Sequence, residues 1–171
     1  MLKRMITTIV TVFLLSALLC SCSSSISEGS ESPEAAVENY LNAYLEADSE
    51  SITKTLPPQI AEPFAIINKG KTDSINESIK SSLADEENSY EITGKEKMTD
   101  EEKARYEKRL SSSASDYAKA AKLESLNTEI KIEEAYNVNA TLKNGGNRSK
   151  TSFPVGKIDG KWYILRDNPI A

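Results

Sequence analysis

Histidine is missing from all 171 residues. Its absence removes the commonest general base and the commonest metal ligand. It also excludes Ser-His-Asp and Cys-His nucleophile arrangements. Cysteine is nearly as scarce. Cys20 and Cys22 are the only two, so nothing beyond residue 22 can form a disulfide or bind zinc through sulfur. Basic charge is in deficit, with 21 Lys and Arg against 26 Asp and Glu and a formal charge of −5. An acidic chain lacks the basic face that phosphate contacts need, which argues against nucleic acid as a partner. It is equally unsuited to lying flat on an anionic membrane. Stability must come from packing.

What the chain does have begins at its N-terminus. Lys3 and Arg4 precede an apolar run from Met5 to Leu19, followed by Leu19-Cys20-Ser21-Cys22. The run is about 15 residues, short of the roughly 20 that span a bilayer. A positive start, a short apolar stretch and a small residue before a cut are the parts of a secretory signal. The segment resembles a bacterial lipoprotein signal peptide ending in a lipobox. The resemblance implies cleavage between Ser21 and Cys22, lipid attachment at Cys22, and residence on the extracytoplasmic face of the cell membrane. Ser21 and Leu19 stand where the motif wants a small residue and Leu; Cys20 takes the middle position, where Ala, Ser or Thr is commoner. Removing Lys3 and Arg4 from a chain of −5 leaves the mature chain at −7, two units lower.

The domain reading follows: 1–21 a signal peptide, 22–31 a lipidated N-terminus with a flexible Ser-rich tether, and 32–171 one α+β domain of a size that supports a real core. Ser32 with Pro33 predicts a helix start, and Val37, Tyr40, Leu41, Tyr44 and Leu45 form its apolar face. Asp48-Ser49 recaps a short helix carrying Ile52 and Leu56. Residues 59–68 form another, with Ile60, Phe64 and Ile67 aligned, and Gly70 ends it. Asp73 is expected to cap a third, bearing Ile75, Ile79 and Leu83. Residues 88–97 read as a strand. Thr99 with Glu102 is a capping box, opening a helix expected to end near Ser111-Ser112-Ser113, with 117–123 as a continuation. From Leu126 to Leu142 the even positions are nearly all apolar, which predicts half-buried strand with a bend or hairpin near Glu134. Asn144-Gly145-Gly146-Asn147 is a turn, Thr151, Phe153 and Val155 alternate, and Asp159-Gly160 is a hairpin signal before Trp162 and Ile164.

Residues 32–52, SPEAAVENYLNAYLEADSESI, and 155–164, VGKIDGKWYI, resemble bacterial lipoproteins of the nuclear transport factor 2-like (cystatin-like) superfamily, many of them domains of unknown function. The resemblance implies N-terminal helices packed on a curved antiparallel sheet that often leaves a cone-shaped cavity. It implies no single activity.

Candidate site residues have bland and functional readings side by side. Tyr44, Phe64, Tyr136 and Trp162, with Tyr40 and Phe153, sit at core spacing and would also line a pocket. Glu134 interrupts an apolar alternation, so it either enters a pocket as an acid–base group with a shifted pKa or turns to solvent at a bend or edge. No second carboxylate is placed beside it. The charged stretch from Glu101 to Arg109 is a solvated helix face or a partner surface. Asp73, Asp85, Glu86 and Glu87 lack EF-hand spacing. The expectation is a lipid-anchored, non-catalytic binding or interaction module of the cell envelope, with no cofactor, no metal and no catalytic residue. Its partners are the membrane through Cys22 and an envelope protein or small molecule. The alternatives are a small-molecule binder or sensor using the cone cavity, and an isomerase- or dehydratase-like enzyme.

Overall fold

A computed structural model describes residues 26–83, 88–144 and 146–168. The signal segment with its Ser21–Cys22 cleavage site and the lipid site Cys22 lie outside these residues, as do Asp85, Glu86 and Glu87. Among the described residues the class is α+β, with five helices and a four-stranded antiparallel sheet that does not close.

Helix α1 (Pro33–Leu45) starts where Ser32 and Pro33 place it, and the Ser32 hydroxyl accepts the Ala35 N–H. Its buried face carries Val37, Tyr40 and Leu41. Helix α2 (Ser49–Lys54) is capped by Asp48, which accepts from the N–H groups of Glu50 and Ser51. Helix α3 (Pro58–Ile67) buries Ile60, Ala61 and Phe64. Helix α4 (Thr72–Ser82) follows Gly70, whose φ of +81° suits the reversal. Asp73 does not cap α4; it lies in its first turn, after Lys71 at the cap position.

Strand β1 (Asn88–Lys97) matches the predicted range. Helix α5 (Asp100–Ala120) opens on the complete Thr99–Glu102 capping box. The three serines at 111–113 do not end it: α5 is one helix of 21 residues. Strands β2 (Glu134–Asn144), β3 (Asn147–Ile158) and β4 (Lys161–Ile164) complete a meander in the order β1-β2-β3-β4. The Asp159-Gly160 hairpin has positive φ at both residues, as a type I′ turn requires.

Period-two alternation puts Tyr136, Val138 and Ala140 on one sheet face, opposite Val155, Phe153 and Thr151. Helix α1 packs over that face, contacting all four strands. A bulge between Ile92 and Gly94 lets β1 present Ile92 and Lys95 to it as well. Lys95 there meets Glu34 in the first turn of α1 at 2.8 Å, and its bond holds the Glu34 carboxyl below the usual carboxylate range against the opposing effect of burial.

Two further expectations change. Residues 126–133 alternate like a strand but form none, and the chain joins the sheet at Glu133, whose N–H bonds Lys157 O in β3. β1 ends at Lys97, and Met98 donates its N–H to Ala135 O, the last backbone bond on that side. The incoming chain runs along α5 instead. Ile130 N–H bonds the Ser111 hydroxyl at 2.9 Å and Ile132 N–H the Glu107 carboxylate at 2.7 Å. Residues 22–31 were expected to be tether throughout, yet folded structure begins by Ser27. Ser30 exchanges two backbone bonds with Trp162 on the open edge of β4. Ser27 donates its hydroxyl to Leu56 O, and Glu28 its N–H to Lys54 O. A polar composition predicts disorder when only side chains are counted; a free sheet edge bonds any backbone that reaches it.

Candidate functional site

The interface between α1 and the sheet is filled by rings. Tyr40 packs on Phe153 at 5.8 Å between centroids and stacks with Tyr44 at 6.3 Å. Tyr136 packs on Trp162 at 5.6 Å. Arg166 lies over Tyr40 and Phe153 and donates to the Tyr40 hydroxyl at 3.0 Å. Burial raises the Tyr40 phenol above its ordinary pKa, with Arg166 opposing. At the far end of this interface, Leu41, Tyr44, Tyr90 and Leu142 leave a crevice of about 190 Å³, below the roughly 300–1,000 Å³ usual for small-molecule sites.

A larger space lies elsewhere. A half-open cleft of about 550 Å³ lies within the helical layer. Helix α2 supplies Ser49, Thr53 and Lys54, the C-terminal half of α3 supplies Phe64, Ala65 and Asn68, and the start of α4 supplies Thr72 and Ile75. Ile26 completes the wall. The short α2 and the Gly70 reversal hold three helix segments around one hollow. Phe64 is fixed from behind by an edge-on contact with Tyr117 of α5 at 5.9 Å.

The residues singled out from sequence do not converge. Phe64 lines the cleft, Tyr44 borders the crevice, and Tyr136 and Trp162 pack on each other. Glu134 is half-buried at the start of β2, opposite Lys157 in the register, and borders neither space. The wall residues Ile26, Thr53, Ala65 and Ile75 went unnoticed as site residues because each belongs to a different segment. Only Ile75 carried a signal, as a member of an apolar face.

Among the described residues, no three Asp, Glu, Cys or His side chains are placed to hold a metal ion, and no helix is long and apolar enough to cross a membrane. The chain matches no known protein family, no curated protein and no solved structure.

Proposed function

We propose that this chain is a bacterial lipoprotein, held by lipid on Cys22 at the extracytoplasmic face of the cell membrane, whose domain is a non-catalytic binding module of nuclear transport factor 2-like (cystatin-like) type. The observation that carries the reading is the run Leu19-Cys20-Ser21-Cys22 behind a positive start and a short apolar segment. A diacylglyceryl group anchors firmly where one chain would bind only marginally.

A binding role is favoured over a catalytic one by the position of Glu134. The one carboxylate with an acid–base pattern stands apart from the 550 Å³ cleft. A second reading, a small-molecule binder, is favoured by that cleft itself, which lies among the helices rather than between helix and sheet.

The test is replacement of the cysteine. Cys22→Ala should accumulate precursor that retains residues 1–21 and should lose all labelling by a fatty-acid probe. Labelling that persists in the variant sinks the assignment.

A further inference from the structure

We propose that the cleft among α2, α3 and α4 receives an acyl chain carried on Cys22 of the same molecule, an inference that rests on the lipoprotein reading above. The course of the chain points there. Ser27 and Glu28 are pinned to the backbone at Leu56 and Lys54, and the preceding residue, Ile26, lines the cleft while remaining 38% exposed. From Ile26 back to Cys22, four peptide steps reach at most about 14 Å. The lipid's attachment point can therefore lie no farther than about 14 Å from Ile26 in the cleft wall.

The cleft's character fits a chain of methylenes. Its volume of about 550 Å³ is within the range of sites that enclose a small ligand, and Ile26, Phe64, Ala65 and Ile75 give it apolar walls. The rim balances its charges: Glu28 and Glu50 face Lys54 and Lys69, with Lys54 and Glu28 paired at 3.4 Å. A rim of no net charge suits an uncharged ester-linked chain better than a fatty-acid anion or a phosphate.

The energetics allow the exchange. A chain passing from bilayer to an apolar cleft keeps most of the roughly 0.8 kcal/mol per buried methylene that it had in lipid. The tether makes binding intramolecular, at an effective concentration of millimolar order. The remaining chain keeps its place in the bilayer, a hold that is marginal by itself, and while it lasts the short lead keeps the helical cleft toward the membrane.

The experiment uses the full chain in cells supplied with a photoreactive, alkyne-tagged long-chain fatty acid, irradiated, digested with trypsin and mapped by mass spectrometry. The expected product is a cross-linked pair joining the peptide that begins at Cys22 to residues 55–69 or 72–80. A tagged Cys22 peptide cross-linked only to bilayer lipid overturns the proposal and leaves the lipoprotein reading standing. A phospholipid mass on residues 55–69 without a link to Cys22 also overturns it and gives the cleft to a bilayer lipid. A Cys22 peptide without any tag removes the lipoprotein reading and this proposal together. Ala65→Trp, which fills the cleft, should lose the peptide pair while keeping the tag and the melting temperature; Thr72→Trp at the other wall is the second variant. A pair that survives in a folded filled-cleft variant also counts against the proposal.

Discussion

Single residues in this protein are constrained most where the N-terminal segment meets β4. Gly29 has φ +60°, and a Cβ there would lie 2.7 Å from Lys161 Cβ and from the Tyr163 ring. Both the backbone strain and the clash penalise any side chain. Gly29→Ala should destabilise the fold by about 1–3 kcal/mol in urea unfolding; an unchanged midpoint would mean that the segment is not docked as described. Asp48 is a different kind of constraint. Bonds from the Ser51 hydroxyl and backbone, aided by Glu50 N–H and nearby Lys54, hold its carboxyl below 3.8 against a smaller opposing effect of burial. A group whose pKa is depressed on folding contributes stability that is full above its unfolded value and lost as pH falls through its folded one. Asp48→Asn keeps an oxygen to cap α2 but cannot titrate. The variant should be less stable than the parent near neutrality, and the gap should close as pH falls below about 4, where the parent's carboxyl is protonated. Parallel stability–pH curves for the two proteins would remove Asp48 from the acid response.

At the scale of elements, the unusual contact is an extended chain bonded to a helix instead of a strand. Glu107 and Ser111 are four residues apart on α5, about 6 Å along its axis. Ile130 and Ile132 are two apart on an extended chain, about 6.6 Å. The two repeats nearly coincide, so two helix side chains accept two successive same-side N–H groups. Both isoleucines are buried beside them. Ser111→Ala leaves the Ile130 N–H without its acceptor, and the expected cost is about 1–3 kcal/mol, measured by thermal or urea unfolding. Ser112→Ala, at an exposed neighbouring position, serves as the comparison and should stay within about 0.5 kcal/mol of the parent. Equal effects would dismiss the helix-to-chain ladder. This ladder also explains what was legible in the sequence. Starts and turns were readable because they are local: Ser32, Asp48, Thr99 with Glu102, and Asp159-Gly160 each act within a few residues. Residues 126–133 misled because alternation reports only that one side is buried: Ile130 and Ile132 are buried, yet their N–H groups bond α5 side chains instead of a neighbouring strand. The serines at 111–113 read as a break because their role, at Ser111, is a bond to a residue 19 positions away. The cleft was illegible for the same reason, since its walls come from segments that nothing in the local pattern ties together.

For the molecule as a whole, the proposed lipid anchor on Cys22 and the fold meet in a very short stretch of chain. A ten-residue tether fully extended would reach roughly 30 Å and would let the domain turn freely. With Ser27 and Ser30 bonded to the body of the protein, the lead from Cys22 to Ile26 reaches at most about 14 Å, less than half that distance. Net negative charge gives the domain no attraction of its own for anionic lipid, so its closeness to the membrane depends on the lead alone. Lys69 and Lys71 are both exposed, and Lys69 lines the same cleft as Ile26. On the proposed lipoprotein reading, this side is held toward the bilayer. Inserting about ten Gly and Ser residues between Cys22 and Ile26 adds a random-coil span of roughly 17 Å and touches no folded contact. In vesicles carrying the lipidated protein, the longer lead should leave the melting temperature unchanged and speed trypsin cleavage after Lys69 and Lys71 several-fold, while cleavage at Arg148, in the distant β2–β3 hairpin, keeps its rate. Equal acceleration at all three sites would mean a general loosening. No acceleration would mean that the short lead does not hold this face to the membrane, and the orientation on which the acyl-chain proposal depends would be lost with it.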